Sequence, residues 1–264
     1  MENTSKNIVL RTENLAIGYC DKYGSTYIAS DLNIALEKRK LVCLLGKNGI
    51  GKSTLLRTLS KTQHKLSGSI FIDSENLLDI TPAVLAKKMS LVLTERIPES
   101  QLSVYDLIAL GRQPYTNWLG KLSKEDLRKI NDAIELVQIK HLINKKNYEL
   151  SDGQLQKVMI ARALAQDTDI IILDEPTAHL DLHHKIEIFK ILQHLVHKTN
   201  KTIILSTHEV NLALQLADEL WLMTEQKFTS GTTESLIASK DLESLFPKNQ
   251  ISFNPKLKQF TLKK

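Results

Sequence analysis

Gly46, Gly49, Gly51, Lys52 and Ser53 fall in the spacing G-x-x-x-x-G-K-[ST] within LVCLLGKNGIGKSTLLR, Leu41 to Arg57. The bare pattern arises by chance in about one chain of this length in a hundred, so its setting has to decide. An apolar run ends at Leu45 and a helical run, STLLRTLSK, starts at Ser53. Glycines remove the Cβ atoms that would hold triphosphate oxygens away from the backbone. The N–H groups of Gly46, Lys47, Asn48, Gly49, Ile50 and Gly51 can then form an anion nest, and the following helix adds the positive end of its dipole. Lys52 would reach the β and γ phosphates, the Ser53 hydroxyl would ligate Mg²⁺, and Thr54 closes the stretch. A glycine-rich turn that binds nothing is the bland alternative, and the strand-then-helix setting argues against it.

Such a loop needs a second strand ending in carboxylates, and DIIILDEPTAHLD supplies one. Asp174, at the end of the apolar run, would hold Mg²⁺ through water, and the adjacent Glu175 is the candidate base for an attacking water. An acidic turn after a strand is common, but pairing with Gly46 to Ser53 weighs against that reading. Just upstream, ELSDGQLQKVMIARALAQD opens a patterned helix with Leu150, Ser151, Asp152, Gly153 and Gln154. Physically this is a second anion site: a serine hydroxyl, a glycine N–H and a helix N-terminus, with no lysine or metal ligand of its own. Standing alone it would be an ordinary helix cap.

LSDGQ closely resembles the LSGGQ signature of ATP-binding cassette proteins, and its place before the Asp174 strand is that family's order. The resemblance implies that two copies pack head to tail as a homodimer, with Ser151, Asp152, Gly153 and Gln154 of one closing over the γ-phosphate of ATP held by the other. It implies that Asp181, in HLD, aligns the dimer and the hydrolytic water, and that His208, in STHEV, contacts the γ-phosphate. It places Tyr19, in AIGY, at the adenine-stacking position, with Tyr23 and Tyr27 as alternatives. Lys52, Glu175 and His208 are the implied catalytic set, and Ser53, Asp174 and Thr94 the implied metal set.

Thr94 is where the chain departs from the family, which usually carries a glutamine after the strand preceding the helical insertion. In MSLVLTERIPES a threonine stands there, with a shorter reach, and Glu95 or Gln101 could cover the role. His179, His183 and His184 in HLDLHH suggest a metal site, since histidines four apart share a helix face, but the loop and a solvated helix start account for them. Lys256, Lys258, Lys263 and Lys264 form a basic tail without interleaved aromatics, so a solvated face is expected and nucleic acid is not.

The elements that must position these residues are written in the periodicity. IVLRTENLAIGY and DLNIALEK alternate apolar and polar residues like half-exposed antiparallel strands. LVCLLG, IIILDE and TIILST are short, almost wholly apolar runs leading into helical patterns, as parallel strands buried on both faces are. Between them, roughly Asp106 to Lys146, apolar residues recur at helical spacing only. The fold expected is α/β, with an antiparallel β-subdomain at about 8–40, a helical subdomain at about 95–155 and a C-terminal appendage at about 237–264; the cassette resemblance implies that its core is a P-loop NTPase of RecA-like kind.

Lys+Arg 35 against Asp+Glu 30, net +5, is a mild bias that separates no partner class. Two cysteines, one of them in a buried run, make a disulfide framework improbable and suit a reducing compartment. No basic start precedes a long apolar stretch, and no segment reaches the eighteen or so apolar residues of a spanning helix. The cassette resemblance therefore implies a peripheral subunit at the cytoplasmic face of the bacterial inner membrane, held by a permease and served indirectly by a substrate-binding protein. Soluble cassettes acting on nucleic acid or protein complexes are the alternative; the long coiled coils and paired cassettes of the chromosome and translation types are absent from this sequence. VYDLIALGRQPYTNWLGKLSKED, Val104 to Asp126, resembles importers of iron-siderophores, haem and cobalamin, which carry a similar GR-x-PY run.

Overall fold

The computed structural model describes residues 7–22, 24–94, 98–246, 251–255 and 257–262. Tyr23, Glu95, Lys256, Lys263 and Lys264 lie outside them. The chain forms two compact units, Met1–Thr81 with Thr202–Lys264, and Pro82–Lys201. The helical span expected at about 95–155 therefore lies inside a larger unit that also holds two strands.

In the first part of the chain, strands β1 (Ile8–Asp21), β2 (Gly24–Leu32), β3 (Ala35–Glu37) and β4 (Leu41–Leu45) precede helix α1 (Lys52–Leu59), followed by β5 (Ser67–Ile72) and β6 (Glu75–Asn76). An antiparallel sheet runs β2-β1-β5-β6, with β3 also on β1. It thus draws on residues to 76, past the 8–40 expected, because β5 returns after α1 to pair Leu10 with Ile72 and Thr12 with Ile70. The alternation foreseen in β1 is interrupted: Leu15, Ala16 and Ile17 are all buried. Register shifts between Glu13 and Ala16 and between Leu15 and Gly18 explain this, since bulges turn successive side chains to the same side.

The second unit holds α2 (Pro82–Lys88), β7 (Met89–Val92), α3 (Val104–Ala109), α4 (Lys124–Leu136), α5 (Asp152–Ala165), β8 (Ile170–Leu173) and α6 (Leu182–Thr199). β7 and β8 pair in parallel, Met89 with Ile170 through Val92 with Leu173. Serines cap the helices as the sequence allows: Ser103 and Ser123 each form a capping box with the aspartate three residues on.

The GR-x-PY run is the architectural centre of this unit. A Cβ on Gly111 would collide with the Arg162 carbonyl oxygen, so only glycine lets the 3₁₀ turn Leu110–Tyr115 lie against α5. Arg112 donates from Nε to Asp126 Oδ1 at 2.8 Å and from Nη1 to the Ala165 carbonyl at 2.8 Å. Its guanidinium also sits 3.9 Å over the Tyr115 ring. Both charged partners are buried, with 4% exposed side chains.

Burial alone would raise the Asp126 carboxyl, yet the Ser123 hydroxyl and amide and the Arg112 guanidinium hold it below the usual range. Asp167 is likewise lowered, against burial, by Lys129 at 2.6 Å and Lys201 at 2.9 Å. A depressed folded value means the stabilisation is complete above the unfolded aspartate pKa, about 3.9, and is lost as pH falls through the folded values beneath it. Urea midpoints should therefore hold steady from pH 7 to about 5 and fall below about 4. A flat profile to pH 2.5 would contradict both assignments.

The chain then returns to the first unit with β9 (Thr202–Ser206), α7 (Val210–Leu216), β10 (Glu219–Met223), β11 (Phe228–Gly231), α8 (Thr233–Ala238), β12 (Ile251–Asn254) and β13 (Gln259–Leu262). Strands run in the order β11-β10-β4-β9, with β4 parallel to both neighbours. All five residues of β4 are fully buried, as a two-sided parallel strand requires. Each such Leu or Val contributes roughly 1.5–3 kcal/mol over exposure. Cys43 is among them, its thiol pushed up by burial, while Cys20 is exposed; both are free. The appendage is less solvated than its composition suggests: Phe260 packs 4.7 Å from Phe246 and 4.9 Å from Phe253, ring centre to ring centre.

Candidate functional site

The glycine loop leaves the carboxyl end of β4, where an open α/β sheet places ligands. Each glycine has a different reason to be there. A Cβ on Gly46 would stand 2.5 Å from the Met223 carbonyl oxygen, backbone that cannot yield. Gly51 has φ +107°, a conformation L side chains avoid, and a Cβ there would strike Ile28. Gly49 has φ +75° with nothing within 4 Å of a Cβ, so its backbone faces open space. Helix α1 starts at that left-handed Gly51 without a side-chain cap, and its N-terminus carries the positive end of the helix dipole.

Lys52 is buried and folds back on the loop, donating to the Gly46 carbonyl at 3.0 Å and the Lys47 carbonyl at 3.1 Å. Lys47 pairs with Glu225 at 3.5 Å on the surface. The Tyr19 hydroxyl and Thr54 Oγ1 are 3.1 Å apart, which ties the exposed Tyr19 ring to the first turn of α1. Tyr27, opposite Gly18 in the sheet, has no comparable tie among the described residues. Met223 went unremarked in the sequence, although its carbonyl and methyl support Gly46 and Gly51 from below. His208 belongs to the same unit: β9 runs beside β4 with Leu44 opposite Ser206, and Thr207 N donates to the Leu44 carbonyl at 3.1 Å. The exposed His208 thus follows the strand next to the glycine loop's own.

In the second unit, Asp174 follows β8, is buried, and donates from its N–H to the Val92 carbonyl at 2.8 Å. Glu175 takes a left-handed φ of +49°, unfavourable for a long side chain, and its carbonyl accepts from Ala178 N at 3.0 Å to close the turn. Thr94 Oγ1 donates to the Asp174 carbonyl at 2.8 Å, so the threonine in place of glutamine anchors the backbone between the two carboxylates. Its oxygen lone pairs remain for a metal or water. Thr94, Asp152, Glu175, Gln156 and His179 line one cleft of about 70 Å³. Gln101 is exposed and does not line it.

The signature stretch begins α5. Ser151 caps it, accepting from Gln154 N at 3.3 Å, while Ser151 N donates to Gln154 Oε1 at 3.3 Å. Ser151 and Asp152 are exposed, but Gly153 is buried because the His184 ring lies over it, 2.6 Å from where a Cβ would be. His184 is also held by Asp181, which caps α6 by accepting from His184 N at 2.9 Å and pairs with His184 Nδ1 at 2.8 Å. The histidine read as a solvated helix start therefore joins the Asp181 loop to the signature helix. Asp181, His183 and His184 bring their ligand atoms within 4.8 Å of one another, with His179 not among them. Two of these three groups are engaged in the cap.

The donors suit the groups expected. Ser53 and Asp174 offer oxygen ligands only, which fits a hard cation such as Mg²⁺, and the glycine cradle around Lys52 fits a polyphosphate.

A parallel sheet with a glycine cradle and lysine at a strand end defines a nucleoside-triphosphate-binding domain. Residues 29–178 match the ABC transporter family. The chain is 35% identical to an uncharacterised ABC transporter ATP-binding protein of Methanocaldococcus jannaschii, across 97% of this chain and 87% of that one. It is 36% identical to the iron(3+)-hydroxamate import ATP-binding protein of Bacillus subtilis, across 79% and 76%. A chain of an inward-facing ABC transporter described as of metal-chelate type superposes with a TM-score of 0.78 at 29% identity, over 97% and 96%. The chain belongs to the ABC transporter family and is one of its ATP-binding subunits, an ATPase.

Proposed function

We propose that this chain hydrolyses ATP to drive a bacterial importer for an iron-siderophore, haem or cobalamin-type substrate, working as a head-to-tail pair bound to two permease subunits. One copy supplies Gly46 to Thr54, Asp174, Glu175 and His208, and the other supplies Ser151 to Gln154. The observation that carries this reading is the exposed, self-capped start of α5, an anion-binding turn with Ser151 and Asp152 turned outward. In a second copy's presence such a turn acquires the phosphate it suits.

Ser53 and Asp174 are the proposed Mg²⁺ ligands, with the Thr94 oxygen as a third, and the ion supplies neutralisation of charge on the β and γ phosphates. Lys52 binds the phosphates, Tyr19 stacks on the base, Glu175 takes the proton of the attacking water, and His208 and Asp181 orient it. Closure of the pair on ATP pulls on the permease, and hydrolysis releases it. Among the described residues no helix is long and apolar enough to cross a membrane, so a peripheral place on the cytoplasmic face would rest on the permease. The solute touches the permease and a substrate-binding protein rather than this chain.

Iron chelation as the substrate class is supported by the iron(3+)-hydroxamate relative and the metal-chelate neighbour. The test is reconstitution of the chain with its copurifying membrane partner in vesicles, presented in turn with ferric hydroxamate, haem and cobalamin. ATP-dependent uptake of one of them is the expected result. ATP hydrolysis by a chain that captures no membrane partner would overturn the transport reading.

A further inference from the structure

Two residues past the signature, α5 carries Gln156, whose amide nitrogen is buried and has no hydrogen-bond partner. Buried amide donors without partners are rare in folded proteins because the desolvated N–H is costly to leave unmade. Gln156 lines the cleft of about 70 Å³ that it shares with Thr94 and Glu175. That exceeds the roughly 10–15 Å³ that a single water needs. Its polar lining residues are Thr94, Asp152, Gln156, Glu175 and His179.

We propose that Gln156 is a positioning residue for ATP hydrolysis, its amide donating to a water that in turn donates to the Glu175 carboxylate. The inference rests on Glu175 being the base. Thr94 has already given its proton to the Asp174 carbonyl, so its oxygen can only accept further. The water would accept one of the two Gln156 amide protons and give one of its own to Glu175 and the other to Thr94. The short Thr94 side chain is what leaves space for the water. A glutamine at 94 would extend its own amide into the cleft and make the Gln156 donor redundant.

That redundancy is the test. Steady-state ATP hydrolysis is measured for the full chain, for Gln156→Met and for Gln156→Glu, each with Thr94 and with Thr94→Gln. Both Gln156 variants keep the side chain's length, and neither can donate as an amide does. With Thr94 present, each should lower kcat about tenfold while KM for ATP stays within about twofold. In the Thr94→Gln background most of that loss should vanish. Equal losses in both backgrounds, or kcat within about twofold of the parent with Thr94 present, would overturn the proposal. Loss of the folded state in both variants would also overturn it, since Gln156 would then serve folding. Glu175→Gln in the same assay separates the two levels: if it is as active as the parent, the base assignment fails, whereas an inactive Glu175→Gln beside normal Gln156 variants defeats only the water link.

Discussion

Glu175→Gln should lower kcat for ATP hydrolysis by about 10²–10⁴-fold, the usual worth of a general base, while ATP affinity stays near that of the parent. The substitution keeps length and volume and removes only the ability to take a proton. Glu175 stands one residue after the buried Asp174, and Thr94 pins the carbonyl between them at 2.8 Å, so the backbone that aims both carboxylates is preserved in the variant. In the proposed site affinity rests on Lys52 and the glycine loop, whose own hydrogen bonds, Lys52 to the Gly46 and Lys47 carbonyls, do not involve Glu175. Single-turnover hydrolysis alongside equilibrium ATP binding separates the two quantities. A variant with kcat within about threefold of the parent would remove Glu175 from the base role.

Arg112→Met should have the largest effect on stability, a loss of about 3–5 kcal/mol. The side chain's aliphatic length is kept, so the cost is that of leaving a buried carboxylate without its cation. Asp126 would retain only Ser123, the Ala165 carbonyl would lose its donor, and the Tyr115 ring its guanidinium. Urea unfolding of the purified chain measures this directly. A change below about 1 kcal/mol would mean that the pair is solvated in solution and contributes as little as a surface bridge. The result also bears on what GR-x-PY signifies. Gly111, Arg112 and Tyr115 join the 3₁₀ turn to α4 and α5, so the run records how the helices of this unit pack.

Much of the site could be read in advance because its chemistry forces local patterns. A triphosphate loop needs glycines, a lysine and a helix start in one short stretch, and buried parallel strands announce themselves as LVCLL, IIIL and TIILS. What stayed hidden depends on partners distant in sequence. Strand β10, ELWLM, opens on a glutamate, yet Glu219 is accommodated by Lys40 at 2.9 Å and Trp221 Nε1 at 3.1 Å, which no local pattern displays. β5 joins the first sheet by pairing with residues some sixty positions earlier, for example Leu10 with Ile72. His184 looked like a solvated helix start because its two roles, pairing with Asp181 and covering Gly153, involve a neighbour three residues back and another thirty-one back. Thr94 showed as a departure, but its bond to the Asp174 carbonyl spans eighty residues. The three phenylalanines of the appendage were diluted among lysines, and only the hairpin of β12 and β13 gathers them.

The central claim is that each nucleotide pocket is completed by a second copy of the chain. Light scattering of Glu175→Gln with saturating Mg-ATP tests it most directly. The account predicts a dimer that forms with ATP, fails to form with ADP, and is lost when Ser151→Arg fills the turn at the start of α5. A chain that stays monomeric under ATP saturation, alone and with its membrane partner, would contradict it.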